Sequence, residues 1–147
     1  MFELLNEQPF LQQVGDKGVR SLADARKFII DGPVASYELG HGLFCVERQS
    51  DGVSIGICGL LRRDTLEYPD LGYALLQKYW SDGYASEAAA ATIRWAFNSL
   101  GLNKIVAVTA PDNGPSIALL QKLGFVYEQT VDFRGVSKLY SLHRSVA

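Results

Sequence analysis

The segment DLGYALLQKYWSDGYASE, residues 70–87, determines how this chain folds. It begins as an apolar run typical of a short strand, and a turn at Gly83 then leads into an alanine-rich stretch. Apolar residues recur at helical spacing as far as Leu100, and Gly101 stands where a C-terminal cap belongs. The segment therefore predicts a strand over residues 70–76, a glycine turn and a helix over residues 84–100.

The glycine turn also predicts an anion-binding site. The first N–H groups of a helix have no partner within the helix, and they lie at the positive end of its dipole. A glycine at the turn lets an anion approach the backbone closely. A second helix start, NGPS at residues 113–116, follows the next predicted strand and supplies small polar side chains. Together the two junctions predict a site for a molecule that carries phosphates and a reactive group.

The composition indicates one globular domain over residues 1–147. Hydrophobic residues make up 48% and charged residues 20%, as in ordered proteins. The net charge of -2, with no block of basic residues, argues against nucleic-acid binding. No apolar run approaches the roughly 20 residues that a membrane span needs, and the N-terminus lacks the features of a signal peptide. We therefore expect a cytoplasmic protein with no membrane partner.

The cysteines and histidines predict no metal site. The chain has two of each, and they form no cluster. Cys45 and Cys58 lie in apolar, strand-like runs, so both are expected to be buried, reduced thiols.

The rest of the chain predicts an α/β domain with a mixed sheet. A short or broken helix is expected before residue 14, and another helix begins at Ser21 and ends at Gly32-Pro33. The remaining predicted elements are, in chain order, strands 43–48 and 53–62, strand 70–76, helix 84–100, strand 105–109, helix 115–123, and strands 125–131 and 137–142.

Residues 15–125 resemble the GNAT superfamily of N-acetyltransferases, in the branch that includes ribosomal-protein N-terminal acetyltransferases. The resemblance lies in five pieces in the family's order and at its separations: GDKGVR (15–20), IGICGL (55–60), DLGY (70–73), GYASEA (83–88), and NGPS (113–116) with LGF (123–125). It implies a mixed, mostly antiparallel sheet with a splay between two central parallel strands and helices on both faces. The family's usual first strand has no counterpart here. Either the chain is truncated or another element covers that edge, because an open edge strand invites pairing with another chain, as in a homodimer.

The resemblance implies acetyl-coenzyme A as co-substrate and no metal. In the family this molecule lies in the splay, here between residues 70–76 and 104–109. The implied contacts are the backbone of Tyr73, Ala74 and Leu75, the pyrophosphate loop of Ser81, Asp82, Gly83, Tyr84, Ala85 and Ser86, and Asn113 and Ser116 at the thioester end. Two residues depart from the family pattern: Trp80 replaces a frequent Arg or Gln, and Asp82 replaces a frequent basic residue. The pyrophosphate would then depend mainly on backbone N–H groups, with help from Lys78.

Acetyl transfer to an amine requires a neutral amine, a donor for the oxyanion and a proton for the departing thiolate. Ser116 is the candidate partner of the thiolate, although a serine at a helix start can equally be a cap. Asp70 and Glu67 are the candidates that take a proton from the amine, or else solvated acids beside a strand. His41, between two glycines, is either a base or a histidine of a surface turn.

The leading prediction is an enzyme, an N-acetyltransferase that acts on a primary amine of a small molecule or a protein N-terminus. The alternative is a non-catalytic module that binds acyl-coenzyme A and serves as a sensor or interaction domain. A nucleotide-binding domain of another kind is disfavoured, because the chain has neither a GxGxxG nor a GK[ST] motif.

Overall fold

The structure of the protein, a computed structural model, describes residues 1–133 and 135–145. Within these residues the chain forms one six-stranded sheet in the spatial order β1-β2-β3-β4-β6-β5. The strands are β1 (Gly42–Glu47), β2 (Ser54–Leu61), β3 (Asp70–Leu75), β4 (Lys104–Thr109), β5 (Val126–Asp132) and β6 (Val136–His143). β3 and β4 run parallel and all other neighbours antiparallel, which confirms the predicted mixed, mostly antiparallel sheet.

Helices cover both faces of the sheet, as predicted. On one face α5 (Tyr84–Asn98) and α6 (Gly114–Lys122) pack against the side chains of Leu71 and Tyr73. On the other face α1 (Phe2–Leu5), α2 (Gln8–Gln13) and α3 (Leu22–Ile29) pack against Ala74 and its neighbours. Successive residues of β3 therefore alternate between two apolar cores. Burial of each large apolar side chain in these cores contributes about 1.5–3 kcal/mol.

The helix after Ser21 starts as predicted and ends later than predicted. The Ser21 hydroxyl accepts the Asp24 N–H at 3.0 Å, which confirms the cap. The prediction that the helix stops at Gly32-Pro33 is wrong: a wider π-type turn (Ile30–Val34) and α4 (Ala35–Tyr37) follow it directly. Proline has no N–H for the ordinary helical bond. The turn instead widens by one residue, and the Ala35 N–H reaches the Ile30 carbonyl.

β1 forms one edge of the sheet, and among the described residues no strand lies beyond it. The Tyr37 hydroxyl donates to the Leu43 carbonyl at 2.5 Å, and its ring stacks on Phe44 with centroids 5.1 Å apart. Cys58 is buried on β2, but the prediction of a buried Cys45 is wrong, because an edge strand leaves alternate side chains uncovered.

The predicted splay lies between β3 and β4. Asp70 is opposite Val106, and the Val106 N–H donates to the Pro69 carbonyl at 3.0 Å. Within the described residues this is the only paired position of the two strands, so they diverge beyond it. The divergence leaves backbone groups of β3 without a neighbouring strand, at the centre of the sheet.

Candidate active site

A cavity of about 1060 Å³ opens where β3 and β4 diverge. Its walls are the carboxyl-terminal half of β3 with the starts of α5 and α6 on one side, and α1, α2 and the end of α3 on the other. The predicted co-substrate residues that line it are Tyr73, Ala74, Leu75, Ser81, Gly83, Tyr84, Ala85, Ser86, Asn113 and Ser116. Of the predicted catalytic residues, Ser116 and Asp70 also line the cavity.

Asp82 and Glu67 lie elsewhere. Both are exposed, and neither belongs to the cavity wall. Because Glu67 lies on the surface, the structure does not bring it together with the other predicted catalytic residues. The exposure of Asp82 allows a carboxylate to stand beside a predicted pyrophosphate loop, since exposed charges are strongly screened.

The start of α5 has the geometry of an anion site. Gly83 precedes the helix with φ +84°, a left-handed conformation that disfavours other residues, and Ser81 has φ +69°. The first intrahelical bond runs from the Glu87 N–H to the Gly83 carbonyl, 3.0 Å. Among the described residues no side chain caps this helix start. The first-turn N–H groups at the cavity wall are therefore available, and a pyrophosphate fits there.

Two residues near the start of α5 have partners that the sequence did not indicate. Lys78 lies 3.8 Å from Glu3 of α1, so its charge is directed to that helix. The Trp80 indole N–H donates to the Leu75 carbonyl at 2.9 Å, which fixes the ring at the cavity wall. The groups that this helix start offers to an anion are therefore those of the backbone.

Of the three β3 residues expected to contact the co-substrate through their backbone, Tyr73 has the most suitable position. Backbone groups alternate in direction along a strand, and the Pro69 carbonyl points to β4, so the odd-numbered residues face the splay. The Leu75 carbonyl already accepts the Trp80 indole. The Ala74 carbonyl faces β2, where it lies 2.3 Å from the position that a Cβ on Gly56 would take. Ala74 thus contributes to the cavity through its side chain.

Two hydroxyl groups at the cavity wall, one from β3 and one from α6, form a hydrogen bond. Tyr73 Oη and Ser116 Oγ are 2.8 Å apart. The cap of α6 is Asn113, whose Oδ1 accepts the Ser116 N–H at 3.3 Å, so the Ser116 hydroxyl is not the cap. Burial raises the pKa of Tyr73, and its hydrogen bond to Ser116 lowers it in part. Tyr73 is therefore a neutral hydroxyl at physiological pH and can donate to Ser116 or accept from it.

Arg63 and Phe133 lie beside Asp70, whose side chain shares the Ala74 face of β3, away from α5 and α6, and sequence reasoning missed both. Asp70 is only 3% exposed and accepts the Arg63 Nε–H at 3.2 Å. The Arg63 guanidinium lies over the Phe133 ring, 4.8 Å from its centre. Arg63 and Asp70 are seven positions apart, but Phe133 is more than sixty positions further along the chain, so no local pattern could have found the group. All three line the cavity.

His41 is half-buried and lies outside the cavity wall. Burial lowers the pKa of His41, and the charge of Arg62 lowers it further. Its Nδ1 is buried without a hydrogen-bond partner among the described residues. This position beside β1 does not favour a role as the base.

Comparisons with known proteins agree on one family. A sequence model described as Acetyltransferase (GNAT) domain matches residues 1–126. The uncharacterized N-acetyltransferase p20 of Bacillus licheniformis is 40% identical over 84 residues, which are 56% of this chain and 47% of that protein. The chain spans about half the length of the curated relatives it matches.

Solved structures share the fold. Mycobacterium smegmatis RimJ in complex with CoA-disulfide has a TM-score of 0.81 at 21% identity, over 97% of this chain and 74% of that one. The ribosomal-protein-S5-alanine acetyltransferase of Vibrio fischeri has a TM-score of 0.67 at 24% identity, over 84% and 75%. In the part of this chain that the structure describes, no three His, Cys, Asp or Glu residues are grouped to hold a metal ion, and no helix is long and apolar enough to cross a membrane.

Proposed function

This chain belongs to the GNAT acetyltransferase family, and on that premise we propose that the protein transfers the acetyl group of acetyl-coenzyme A to a primary amine. One observation carries the proposal. The cavity in the β3–β4 splay joins an uncapped helix start, suited to a pyrophosphate, to a pair of hydroxyl groups suited to a leaving thiolate.

The backbone holds the co-substrate in this proposal. Residues 81–86 take the pyrophosphate through N–H groups, and Asp82 contributes its backbone alone. Tyr73 offers backbone groups in the splay, with Leu75 and the side chain of Ala74 beside it. Asn113 and Ser116 lie at the thioester end. Support comes from the cavity wall, which contains each of these residues except Asp82.

The chemistry is a direct transfer. The amine nitrogen attacks the thioester carbonyl, a C–N bond forms and the C–S bond breaks. Ser116 gives its proton to the departing sulfur, and Tyr73, 2.8 Å away, passes its own proton to the Ser116 oxygen. The proton that the amine loses returns to Tyr73 through solvent, so the net products are the amide and the free thiol of coenzyme A. A donor that acts on charge developing in the transition state speeds a reaction by roughly 10- to 1000-fold. Placement of amine and thioester together supplies much of the remainder.

Asp70 is the proposed acceptor of the proton that the amine loses. It lies on β3, buried at the cavity wall, three positions before Tyr73. Because Asp70 is in contact with Arg63, we propose that the proton passes from the amine to Asp70 through a water molecule. Glu67 is a weaker proposal, because it is exposed and outside the cavity.

The acceptor in this proposal is a primary amine on a small molecule or a protein N-terminus. Free thiols at Cys45 and Cys58 support a reducing compartment, so we place the protein in the cytoplasm. The open edge of β1 gives a second copy a strand to pair with, and we propose a homodimer as one assembly of the chain.

An acetylation assay tests the function. The full chain is incubated with acetyl-coenzyme A and a panel of amines, and acetylated amine and free thiol are both measured. We expect equal amounts of the two. Titration of acetyl-coenzyme A by calorimetry on the same preparation separates the alternatives: binding with no transfer to any amine would identify a sensor module, and absence of binding would reject the proposal.

A further inference from the structure

Arg63 presents unused hydrogen-bond donors to the cavity. It follows β2, its side chain is 28% exposed, and it lines the cavity on the side away from α5 and α6. Arginine carries five N–H donors. Of the five donors of Arg63, only the Nε–H makes a hydrogen bond to another described residue, Asp70. The four Nη–H donors make no hydrogen bond within the described residues.

Two contacts fix the direction of this guanidinium. Its Nε edge meets the Asp70 carboxylate, whose side chain is 5% exposed, and its face lies on the Phe133 ring. A guanidinium held at one edge and on one face loses little further freedom when a ligand binds. The remaining Nη edge therefore forms a preorganised donor site.

At Arg63 itself the local charge favours an anionic ligand over a cationic one. Among the described residues the cavity is lined by the acidic Glu7, Asp70 and Asp112 and by the basic Lys17 and Arg63. Glu7 accepts the Gln77 N–H at 2.9 Å, Asp70 is paired with Arg63, and Asp112 is exposed just before α6. The guanidinium charge of Arg63 would repel a polyamine, and the neighbouring Asp70 carboxylate is already paired with Arg63.

We propose that the Nη edge of Arg63 binds a carboxylate of the acceptor, so that the substrate is a small amine that carries a carboxylate, such as an amino acid. Two parallel N–H donors match two carboxylate oxygens, the geometry in which arginine binds this group best. The inference rests on the proposed acetyl transfer. It makes Arg63 a specificity-determining residue, with Asp70 and Phe133 as its supports.

Matched pairs of acceptors test this inference. The full chain is assayed with the twenty common amino acids, β-alanine and 4-aminobutyrate, each beside its own carboxamide, and with spermidine. The two members of a pair differ only in the carboxylate. For the preferred pair we expect kcat/KM to favour the acid about 10- to 100-fold, the effect of hydrogen bonds to a charged group.

Variants locate the preference. Arg63→Gln combined with Asp70→Asn keeps the buried partner neutral, and it should bring the acid-to-amide ratio close to one whatever the absolute rate. Arg63→Lys should restore part of the ratio, because one charge returns without the paired donors. The control is Arg62→Gln, an exposed arginine next in sequence that does not line the cavity, and it should leave the ratio unchanged.

A binding measurement keeps the inference separate from the proposed function. Protein saturated with coenzyme A is titrated calorimetrically with the same pairs. The inference is supported if acids bind more tightly than their amides and if Arg63→Gln/Asp70→Asn abolishes this difference. This result would support the inference even if no amine is acetylated, and only the proposed function would then fail. Equal binding and equal turnover of acid and amide, or a preference for spermidine, would overturn the inference while leaving acetyl transfer intact.

Discussion

The two sides of the cavity differ in the groups they offer to a ligand. The side formed by residues 73–75 of β3 with α5 and α6 offers backbone: uncapped N–H groups after Gly83 and a strand end without a neighbour. The opposite side offers side chains, with Arg63 in contact with both Asp70 and Phe133. A backbone site accepts any molecule of the right shape that carries phosphates, and a side-chain site selects by charge. This difference supports our proposal that the constant co-substrate lies on the first side and the variable acceptor on the second.

The largest expected effect comes from Ser116→Ala on the first side. If the hydroxyl protonates the thiolate, turnover falls roughly 10- to 1000-fold while acetyl-coenzyme A affinity stays the same, because the contribution arises only in the transition state. Steady-state kinetics and calorimetry on one preparation measure both. The control is Ser21→Ala, which removes a helix cap away from the cavity and should cost about 1 kcal/mol of stability with normal turnover. If Ser116→Ala behaves in the same way as the control, its hydroxyl has no catalytic role.

Tyr73→Phe tests whether the hydroxyl pair acts as a unit. Removal of the Tyr73 hydroxyl leaves Ser116 without the partner now 2.8 Å away, and we expect about a 10-fold loss of turnover. In the Tyr73→Phe/Ser116→Ala double variant the losses should not add, since both residues serve one proton transfer. Additive losses measured in this cycle would mean that Tyr73 acts independently of Ser116.

Gly83→Val tests the backbone site itself. A β-branched residue resists φ +84° and crowds an anion, so acetyl-coenzyme A affinity should fall about 10-fold or more. Gly101 offers a matched control beyond the other end of α5: its φ is +68°, and like Gly83 it has no atom within 4 Å of a built Cβ. Gly101→Val should therefore lower stability comparably and leave affinity unchanged. Equal acetyl-coenzyme A affinities in the two folded variants would reject this helix start as the pyrophosphate site.

Asp82→Lys is expected to have the smallest effect. Asp82 is exposed and outside the cavity, so the charge reversal acts through screened solvent and should tighten acetyl-coenzyme A binding about 2- to 5-fold at low salt. The gain should vanish at high salt. Asp64→Lys, at another exposed position, is the reference for the change in net charge. A gain equal to that reference would show that Asp82 has no particular proximity to the pyrophosphate.

Local sequence signals predicted the elements of the first side well. A glycine turn was expected at Gly83, and the chain turns there with φ +84°, a conformation that glycine adopts without strain. The strands and the two helices around the splay begin and end within one or two residues of their predicted bounds. Pro33 was misleading, because a proline disrupts the regular helical bond without forcing the chain to leave the helix.

The sequence by itself determined the order of strands and helices, the glycine turn, and the candidate residues near the splay, because each depends on spacings of a few positions along the chain. Only the tertiary structure decided that Tyr73 meets Ser116, 43 positions away, that Asn113 and not Ser116 caps α6, and that Arg63, Asp70 and Phe133 come into contact. These contacts depend on how the sheet twists and which faces its helices cover, and packing of the whole domain sets both.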